Sequence, residues 1–185
     1  PSTQRARSII FLAYGVLVAT CLEAYQNDEA IPLYVCENGF ISMNPPLTGA
    51  RLGSLSTRTT NPVFLADFQR LLDNAGLKVI LKTPYQFKTK GEMLVECKNQ
   101  AFLQKHANNT TSCGRYRIFK YKHCGRCIPC LVRRASFKKW GKPDLTEYVY
   151  TDLSRDDSDH AQFDDVRSVA MAVSRVNTDG LDAWL

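Results

Sequence analysis

Four cysteines lie in the second half of the 185-residue chain at the spacing that metal ligands take. Cys124, Cys127 and Cys130 are each separated by two residues, and Cys113 comes eleven positions before Cys124. A Cys-x-x-Cys pair can bring two sulfur atoms to one tetrahedral ion, and Gly125 allows the tight turn between them. Because four thiolates leave no position for a reacting water, the spacing predicts a structural zinc site.

Three alternatives to a four-cysteine zinc site stay open. The first is a redox-active Cys-x-x-Cys pair, which would require neither Cys113 nor Cys130. The second is that these are unrelated buried cysteines. The third is a site in which His123, next to Cys124, replaces one of the cysteines as a ligand.

The other three cysteines and the apolar run near the start of the chain indicate the compartment. Cys21, Cys36 and Cys97 lie in apolar stretches, and we expect them to be buried thiols in a reducing cytoplasm. The run Ile9–Thr20 is shorter than the about 20 apolar residues that span a bilayer, so we predict a buried helix and no membrane association.

Charge is distributed unevenly along the chain. Residues 113–143 contain ten basic side chains and no acidic one, whereas residues 144–165 contain eight acidic side chains and one basic side chain. A basic surface attracts the phosphates of a nucleotide or a nucleic acid. Alternatively, the acidic segment folds back over the basic one.

Helix and strand signals alternate over the first part of the chain. Arg7–Tyr25 is apolar almost all round and predicts a buried helix, and Ile31–Cys36 predicts a strand that is buried on both faces. Leu77–Leu81 predicts the next strand. Between these strands, Asn38–Asn61 is a long polar loop, and long loops in compact domains are usually functional.

Further helices have clear boundaries. Asn61 and Pro62 suit the start of one helix, and Gly76 suits its end. Thr89–Glu92 has the capping-box pattern. Three more helices are expected at Gln100–His106, at Ile128–Trp140 and near Asp164–Val176, the last with Val166, Val169, Ala170 and Val173 on one face.

These elements predict an α/β fold with an open, mostly parallel, Rossmann-like sheet, followed by a four-cysteine zinc-binding segment and a helical tail. The expected boundaries are 1–110 for the α/β part, 111–142 for the zinc-binding segment, and 143–185 for the acidic loop and tail.

Several short segments occur in an order that is typical of one family. They are Arg7–Gly15; Glu37–Phe40 with Asn44–Leu47 and Ser54–Pro62; Thr89–Glu92; and Thr111–Gly114 with Cys124–Arg133. In this order, over about residues 5–137, they resemble the 7-cyano-7-deazaguanine synthase (QueC) family. The resemblance is closest to its relatives in anti-phage systems, QatC and the QueC-like proteins of type IV CBASS.

The resemblance implies an N-type (PP-loop) ATP pyrophosphatase with an adenine nucleotide alpha hydrolase-type sheet. With ATP and Mg²⁺, such an enzyme adenylates the carboxylate of 7-carboxy-7-deazaguanine, and an amine, either ammonia or one on a protein, then displaces AMP. The family's Ser-Gly-Gly-x-Asp-Ser loop does not occur in these 185 residues. We therefore expect ATP chemistry only together with a segment or chain that carries this loop.

The resemblance also assigns binding residues. Arg7, Ser8 and Lys90 are expected near the nucleotide, and Glu37, Asn38 and Arg58 near the substrate. Two alternatives are that Arg58 only ties down its own loop and that Lys90 is simply exposed to solvent.

The expected partners are the segment with the loop, a 7-deazaguanine-type molecule, a protein substrate or defence partner, and a second copy in a homodimer. A competing hypothesis, drawn from the charge, is a non-catalytic zinc module that binds nucleic acid or a protein through its basic face.

Overall fold

A computed structural model describes residues 7–43, 60–154 and 163–180. The chain divides into two compact units. The first unit comprises the described residues up to Lys88, and the second comprises those from Thr89 onward. The boundaries predicted near residues 110 and 142 stay predictions.

The first unit combines helices with two parallel strands. Its elements are α1 (Arg7–Thr20), α2 (Glu23–Gln26), β1 (Ile31–Tyr34), α3 (Gly39–Met43), α4 (Pro62–Asn74) and β2 (Val79–Lys82). β1 pairs with β2 in parallel, with Ile31 opposite Val79 and Tyr34 opposite Lys82. Parallel pairing needs a crossover rather than a hairpin, and here helix α4 precedes β2. The predicted α/β fold class is therefore confirmed.

The core of this unit lies between the two strands and helices α1 and α4. Its buried side chains are Val16, Ala19, Ile31, Phe68, Leu72 and Val79. The outer edge of β2 is held by a side chain of α4. Gln69 donates from Nε2 to the Val79 carbonyl at 3.0 Å, and its Oε1 accepts from the Leu81 N–H at 2.7 Å. The amide thus satisfies backbone groups that a neighbouring strand would otherwise pair.

Two predictions about burial in this unit are wrong. α1 is not buried all round, because Phe11 and Tyr14 are 67% and 62% exposed. β1 is not buried on both faces, because Ile31 is buried whereas Pro32 and Tyr34 are exposed. An apolar sequence indicates how much surface favours burial, but it does not identify the surface that covers it.

The long predicted helix is interrupted, and the isolated cysteines are not buried. α1 ends at Thr20, where Gln26 Nε2 donates to the Thr20 carbonyl at 2.8 Å. Cys21, just after this end, is exposed, Cys36 is exposed and Cys97 is partly buried. The prediction of three buried thiols is wrong, since each cysteine lies at or beyond the end of the apolar element that suggested its burial.

The second unit is helical. Its elements are α5 (Lys90–Val95), α6 (Gln100–His106), a 3₁₀ turn (Ala107–Asn109), α7 (Ile128–Trp140) and α8 (Phe163–Asp179). The predicted capping box starts α5, because Thr89 Oγ1 accepts from the Glu92 N–H at 3.3 Å and the Glu92 carboxylate accepts from the Thr89 N–H at 2.7 Å. α7 begins directly after Cys127, so the helix and the cysteine cluster are positioned together.

The tail helix α8 packs on α7 through a face that matches the predicted one only in part. Ala172 is buried and Val166 and Val169 are partly buried, whereas Ala170 and Val173 are exposed. At the start of α8, Asp165 Oδ2 accepts from the Ile128 N–H at 3.2 Å. This carboxylate satisfies an amide in the first turn of α7, one residue after Cys127.

Candidate metal centre and the neighbouring cavity

The four predicted cysteines converge on one point in the second unit. Their sulfur atoms all lie within 4.8 Å of one another, and all four residues are buried. The distance is 3.9 Å both from Cys124 Sγ to Cys130 Sγ and from Cys113 Sγ to Cys127 Sγ. Zn–S bonds of about 2.3 Å give a tetrahedron with sulfur–sulfur edges of about 3.8 Å. The cluster therefore has the size of a tetrahedral metal site, and its cysteines form no disulfide.

Backbone amides point at the sulfur atoms. The Cys124 N–H donates to Cys113 Sγ at 3.3 Å, and the Cys127 N–H donates to Cys124 Sγ at 3.3 Å. Gly125 makes the turn between them with φ of 89°, a conformation that side-chain-bearing residues rarely adopt. Hydrogen bonds of this kind stabilise negative charge on sulfur, as metal-bound thiolates require.

Cys124, Cys127 and Cys130 cannot all ionise by themselves. Hydrogen bonds from the Cys127 and Cys130 thiols hold the pKa of Cys124 well below its ordinary value. The same hydrogen bond to Cys124 raises the pKa of Cys127 to about 11, and the hydrogen bond to Cys124 is also the main cause that raises the pKa of Cys130. A bound divalent cation is what would allow four adjacent thiolates. The donor set therefore fits a sulfur-preferring metal ion.

His123 supports the cluster without joining it. The group of metal-ligating atoms found among the described residues contains the four cysteines alone. His123 Nε2 accepts from the Ser112 N–H at 3.3 Å, and its ring meets Tyr116 and Tyr148 edge-on. Burial first, and then the charge of Arg133, lowers the pKa of His123. The neutral ring thus holds the residue that precedes Cys113.

The return segment, residues 144–154, folds back over the cysteine cluster. The Val149 N–H donates to the His123 carbonyl at 2.9 Å, and the Tyr150 N–H donates to the Cys124 carbonyl at 3.0 Å. Arg134 donates to the carbonyls of Tyr150 and Thr151, at 2.7 and 3.1 Å. Residues 144–154, the described first part of the acidic segment, therefore lie against the basic one, and backbone carbonyl oxygens accept these hydrogen bonds.

Two arginine side chains lie over aromatic rings of the return segment. The guanidinium of Arg126, which is only 1% exposed, lies 4.5 Å from the centre of the Tyr150 ring, and that of Arg134 lies 4.0 Å from the Tyr148 ring. A Cβ on Gly125 would lie 2.3 Å from the Tyr150 carbonyl oxygen. This close approach and the positive φ together require glycine at the turn.

Arg133 ties three segments of this unit together. Nε donates to Thr146 Oγ1 at 2.8 Å, Nη1 to Thr110 Oγ1 at 2.9 Å and Nη2 to the Ala107 carbonyl at 2.9 Å. The side chain is buried, and its guanidinium also lies over the Phe137 ring. In the sequence, the Cys-x-x-Arg spacing after Cys130 is the only signal for this residue.

A cavity of about 270 Å³ lies between α5, α6 and α7. Leu94, Leu103 and Phe137 form apolar walls, and Thr110, Thr111 and Ser136 contribute hydroxyl groups. Lys90, the first residue of α5, is exposed and lines the same cavity. Its predicted role at a nucleotide stays a prediction.

The other predicted binding residues are placed only in part. Asn38 is buried, and its Oδ1 accepts from the Ile41 N–H at 3.1 Å, which caps α3. Glu37 is exposed beside it. Arg7 and Ser8 begin α1, but their side chains lie outside the described residues, as does the whole of Arg58. The ligand roles of these five residues stay predictions.

Among the described residues, no helix has the length and apolar character to cross a bilayer.

Parallel strands in one unit and a four-cysteine cluster in the other define the class of protein, an α/β protein with a cysteine cluster that could hold a metal ion. Residues 59–141 match the family model of the queuosine biosynthesis protein QueC, and this range includes Lys90 and all four clustered cysteines. Over these residues, the chain is therefore similar to QueC.

A curated relative supports the same assignment. The 7-cyano-7-deazaguanine synthase of Methanococcus aeolicus is 34% identical to the chain over 93 residues, which cover 46% of this chain and 38% of the relative. The chain thus spans less than half the length of that relative. No solved structure matches the chain significantly. The QueC resemblance predicted from the sequence is confirmed, whereas the likeness to its anti-phage branch stays a prediction.

Proposed function

We propose that the complete protein is a 7-cyano-7-deazaguanine synthase-like enzyme that consumes ATP. Its substrate is a 7-carboxy-7-deazaguanine-type carboxylate, which it couples to an amine. The observation that carries the proposal is the QueC match over residues 59–141, which includes the cysteine cluster that the same residues form in space.

The proposed reaction has two steps. A carboxylate oxygen attacks the α-phosphorus of ATP, and the bond to pyrophosphate breaks. The amine then attacks the acyl carbon and AMP leaves, so that ATP, carboxylate and amine become an amide, AMP and pyrophosphate. Cations lower the barrier because negative charge develops on the leaving pyrophosphate, and Mg²⁺ would supply part of that charge. Arg7 and Lys90 would supply more.

The metal at the cysteine cluster is proposed to be zinc with a structural role. Cys113, Cys124, Cys127 and Cys130 would fill its coordination sphere and leave no position for a reacting water. The cluster lies at the start of α7 and is covered by the return segment. The ion would therefore stabilise the fold of the second unit.

ATP chemistry is proposed to need a segment or partner chain that carries a Ser-Gly-Gly-x-Asp-Ser loop. The exposed apolar side chains of α1, such as Phe11 and Tyr14, support this proposal, because a further layer of structure would bury them. A two-stranded sheet is also marginal without more strands or a packed face.

The finer parts of the proposal rest on the sequence alone. They are the choice between ammonia and a protein amine as acceptor, a role in anti-phage defence, action in the cytoplasm, and assembly as a homodimer. The roles of Ser8, Glu37, Asn38 and Arg58 at the ligands belong to the same set.

Pyrophosphate release tests the proposed activity. We expect the full-length protein to release pyrophosphate and AMP when a 7-carboxy-7-deazaguanine-type acid is added, and residues 1–185 alone to release neither. Lys90→Ala in the full-length protein should lower the rate by about tenfold or more, since a cation beside a leaving phosphate is lost. Lys98→Ala removes an exposed lysine of the same unit as the control.

Three results would count against the proposal. ATP cleavage that is independent of the carboxylate would reject the reaction. Rapid cleavage of ATP by residues 1–185 alone would show that the reaction does not need a Ser-Gly-Gly-x-Asp-Ser loop from another segment or chain. An unchanged rate in Lys90→Ala would leave this lysine as an ordinary exposed side chain.

A further inference from the structure

The basic loop, residues 115–122, alternates cationic side chains with aromatic and aliphatic ones. Its sequence is Arg-Tyr-Arg-Ile-Phe-Lys-Tyr-Lys, and it connects Cys113 to His123. None of its residues is a candidate metal ligand. The proposed ATP reaction also assigns no role to the loop.

The basic loop is held in one conformation by its own hydrogen bonds. The Phe119 N–H donates to the Arg115 carbonyl at 3.2 Å, and the Tyr121 N–H donates to the Tyr116 carbonyl at 2.9 Å. Lys120 and Tyr121 both have positive φ, of 49° and 64°. Because the cysteine cluster anchors the segment just before the loop, its surface is preorganised, and a ligand would lose little ordering entropy on binding it.

The side chains that the loop presents to solvent are unusual for a surface turn. Ile118 and Tyr121 are 72% and 70% exposed, and Arg117 and Lys120 are exposed beside them in the chain. Tyr116 meets the Tyr121 ring edge-on, with centroids 5.9 Å apart, which supports the ring from one side. An exposed aromatic ring is thus flanked in the sequence by exposed cations.

The fold itself uses only part of the positive charge of residues 113–143. Arg126, Arg133 and Arg134 bind carbonyls and rings of the second unit, and Lys122 forms an ion pair with Glu147 at 3.2 Å. Among the described residues, by contrast, no acidic side chain lies within ion-pair distance of Arg117 or Lys120. These two cations therefore stay available to an external anion.

We propose that the basic loop binds single-stranded nucleic acid, with Arg117 and Lys120 on phosphates and Tyr121 stacked on a base. Cations supply the sequence-independent attraction to the backbone, and exposed aromatic rings bind the faces of unpaired bases. A duplex keeps those faces stacked inside, so the exposed ring favours a single strand over a duplex. RNA and DNA share this chemistry, and the experiment distinguishes them.

Fluorescence anisotropy of labelled oligonucleotides tests the proposal on the zinc-loaded, full-length protein. The probes are oligo(dT) and oligo(U) of about 15 nucleotides and a duplex of the same length. We expect the wild type to bind single strands with a Kd of about 1–100 µM at physiological salt and to bind the duplex more weakly. Tighter binding of one single strand identifies RNA or DNA as the ligand.

Charge-reversal variants distinguish the contribution of the loop to binding from that of the protein's net charge. Arg117→Glu with Lys120→Asp should weaken binding by about tenfold or more. It should also reduce the salt slope, the steepness with which the logarithm of the binding constant falls with the logarithm of salt concentration, by about 1.4, the value expected for the loss of two phosphate contacts on a single strand. The matched control is Lys98→Glu with Lys105→Glu, two exposed lysines elsewhere in the same unit, for which we expect a change within about twofold. Both pairs change the charge by the same amount.

Loss of the ring tests stacking. Tyr121→Asn removes the ring with a residue that tolerates positive φ, and it should weaken binding by about fivefold or more without changing the salt slope. Arg117→Gln is a milder second variant if the reversed loop fails to retain zinc, and we expect it to lower the salt slope by about 0.7.

Four outcomes overturn the proposal. They are no binding at low salt, an equal loss in the loop pair and the control pair, tighter binding of an Asp/Glu-rich peptide than of either oligonucleotide, and a change of oligomeric state in Tyr121→Asn with unchanged affinity. The third outcome would identify a protein partner, and the last would identify a second copy of the chain.

Discussion

Arg133 shows how a single side chain connects the cysteine cluster to the rest of the second unit. It follows Cys130 by three residues, so it lies on the same turn of α7 as the last ligand. Its three hydrogen-bonding nitrogens reach Thr146 in the return segment, and Thr110 and Ala107 in the stretch that follows α6. The planar fork of a guanidinium makes this possible, and an ammonium cannot reproduce it.

Arg133→Lys should therefore lower the free energy of unfolding by about 2–4 kcal/mol, because buried acceptors lose their donors. Denaturant unfolding of the zinc-loaded protein measures this change. Arg117→Lys, on the exposed basic loop, is the control and should stay within about 0.5 kcal/mol. A similarly small change in Arg133→Lys would show that the three hydrogen bonds contribute little.

At the residue scale, the sequence predicts what local spacing encodes. Three members of the cysteine cluster follow from Cys-x-x-Cys spacing, with Cys113 upstream as the fourth, and the caps of α4 and α5 follow from Asn61 and Thr89. The partners of Arg133 could not be predicted, because Thr146 and Ala107 are far from it in sequence. The prediction that Cys21 and Cys36 are buried is wrong for the same reason, since burial depends on contacts with residues that are distant in the sequence.

At the element scale, α5 and α7 approach each other closely at Gly91. A Cβ built on Gly91 would lie 2.6 Å from Lys139 Cβ and 2.8 Å from Lys139 Cγ. These atoms belong to the start of the lysine side chain, so they cannot swing away as its tip could. The two helices would have to separate to admit even one methyl group.

Gly91→Ala should thus destabilise the protein by about 1–2 kcal/mol, although alanine favours a helix by up to about 1 kcal/mol over glycine. Thermal or denaturant unfolding measures the effect. Gly114→Ala, where a Cβ would meet nothing within 4 Å, should change stability by less than about 0.5 kcal/mol. Stabilisation by Gly91→Ala would mean that the helix contact is looser than its geometry indicates.

Apart from the interrupted helix at the start of the chain, the boundaries of helices could be predicted well, whereas their packing could not. Ile128–Trp140 was expected from local signals and is α7. The contact face of α8 was predicted from apolar periodicity, yet Val173 is exposed and Ala172 is buried. Periodicity locates an apolar stripe to within about a quarter turn, and the neighbouring helix selects the residues that are covered.

At the scale of the whole molecule, the two units differ in what stabilises them. The first has an apolar core around two parallel strands, whereas the second has a small core around Phe137 and Trp140 beside the cysteine cluster. With so few buried apolar side chains, the second unit should depend on the metal. The binding free energy of a structural zinc ion, about 10–16 kcal/mol in small zinc-binding peptides, is folding free energy.

The metal content of the purified protein tests this account most directly. Protein prepared without chelator should contain about one zinc ion per chain by elemental analysis. Cys127→Ser should lose the zinc and the cooperative unfolding of the second unit, while Cys97→Ser, outside the cluster, should keep both. An absence of bound metal in the wild type, or full retention of zinc by Cys127→Ser, would contradict the assignment of these four cysteines as a structural metal centre.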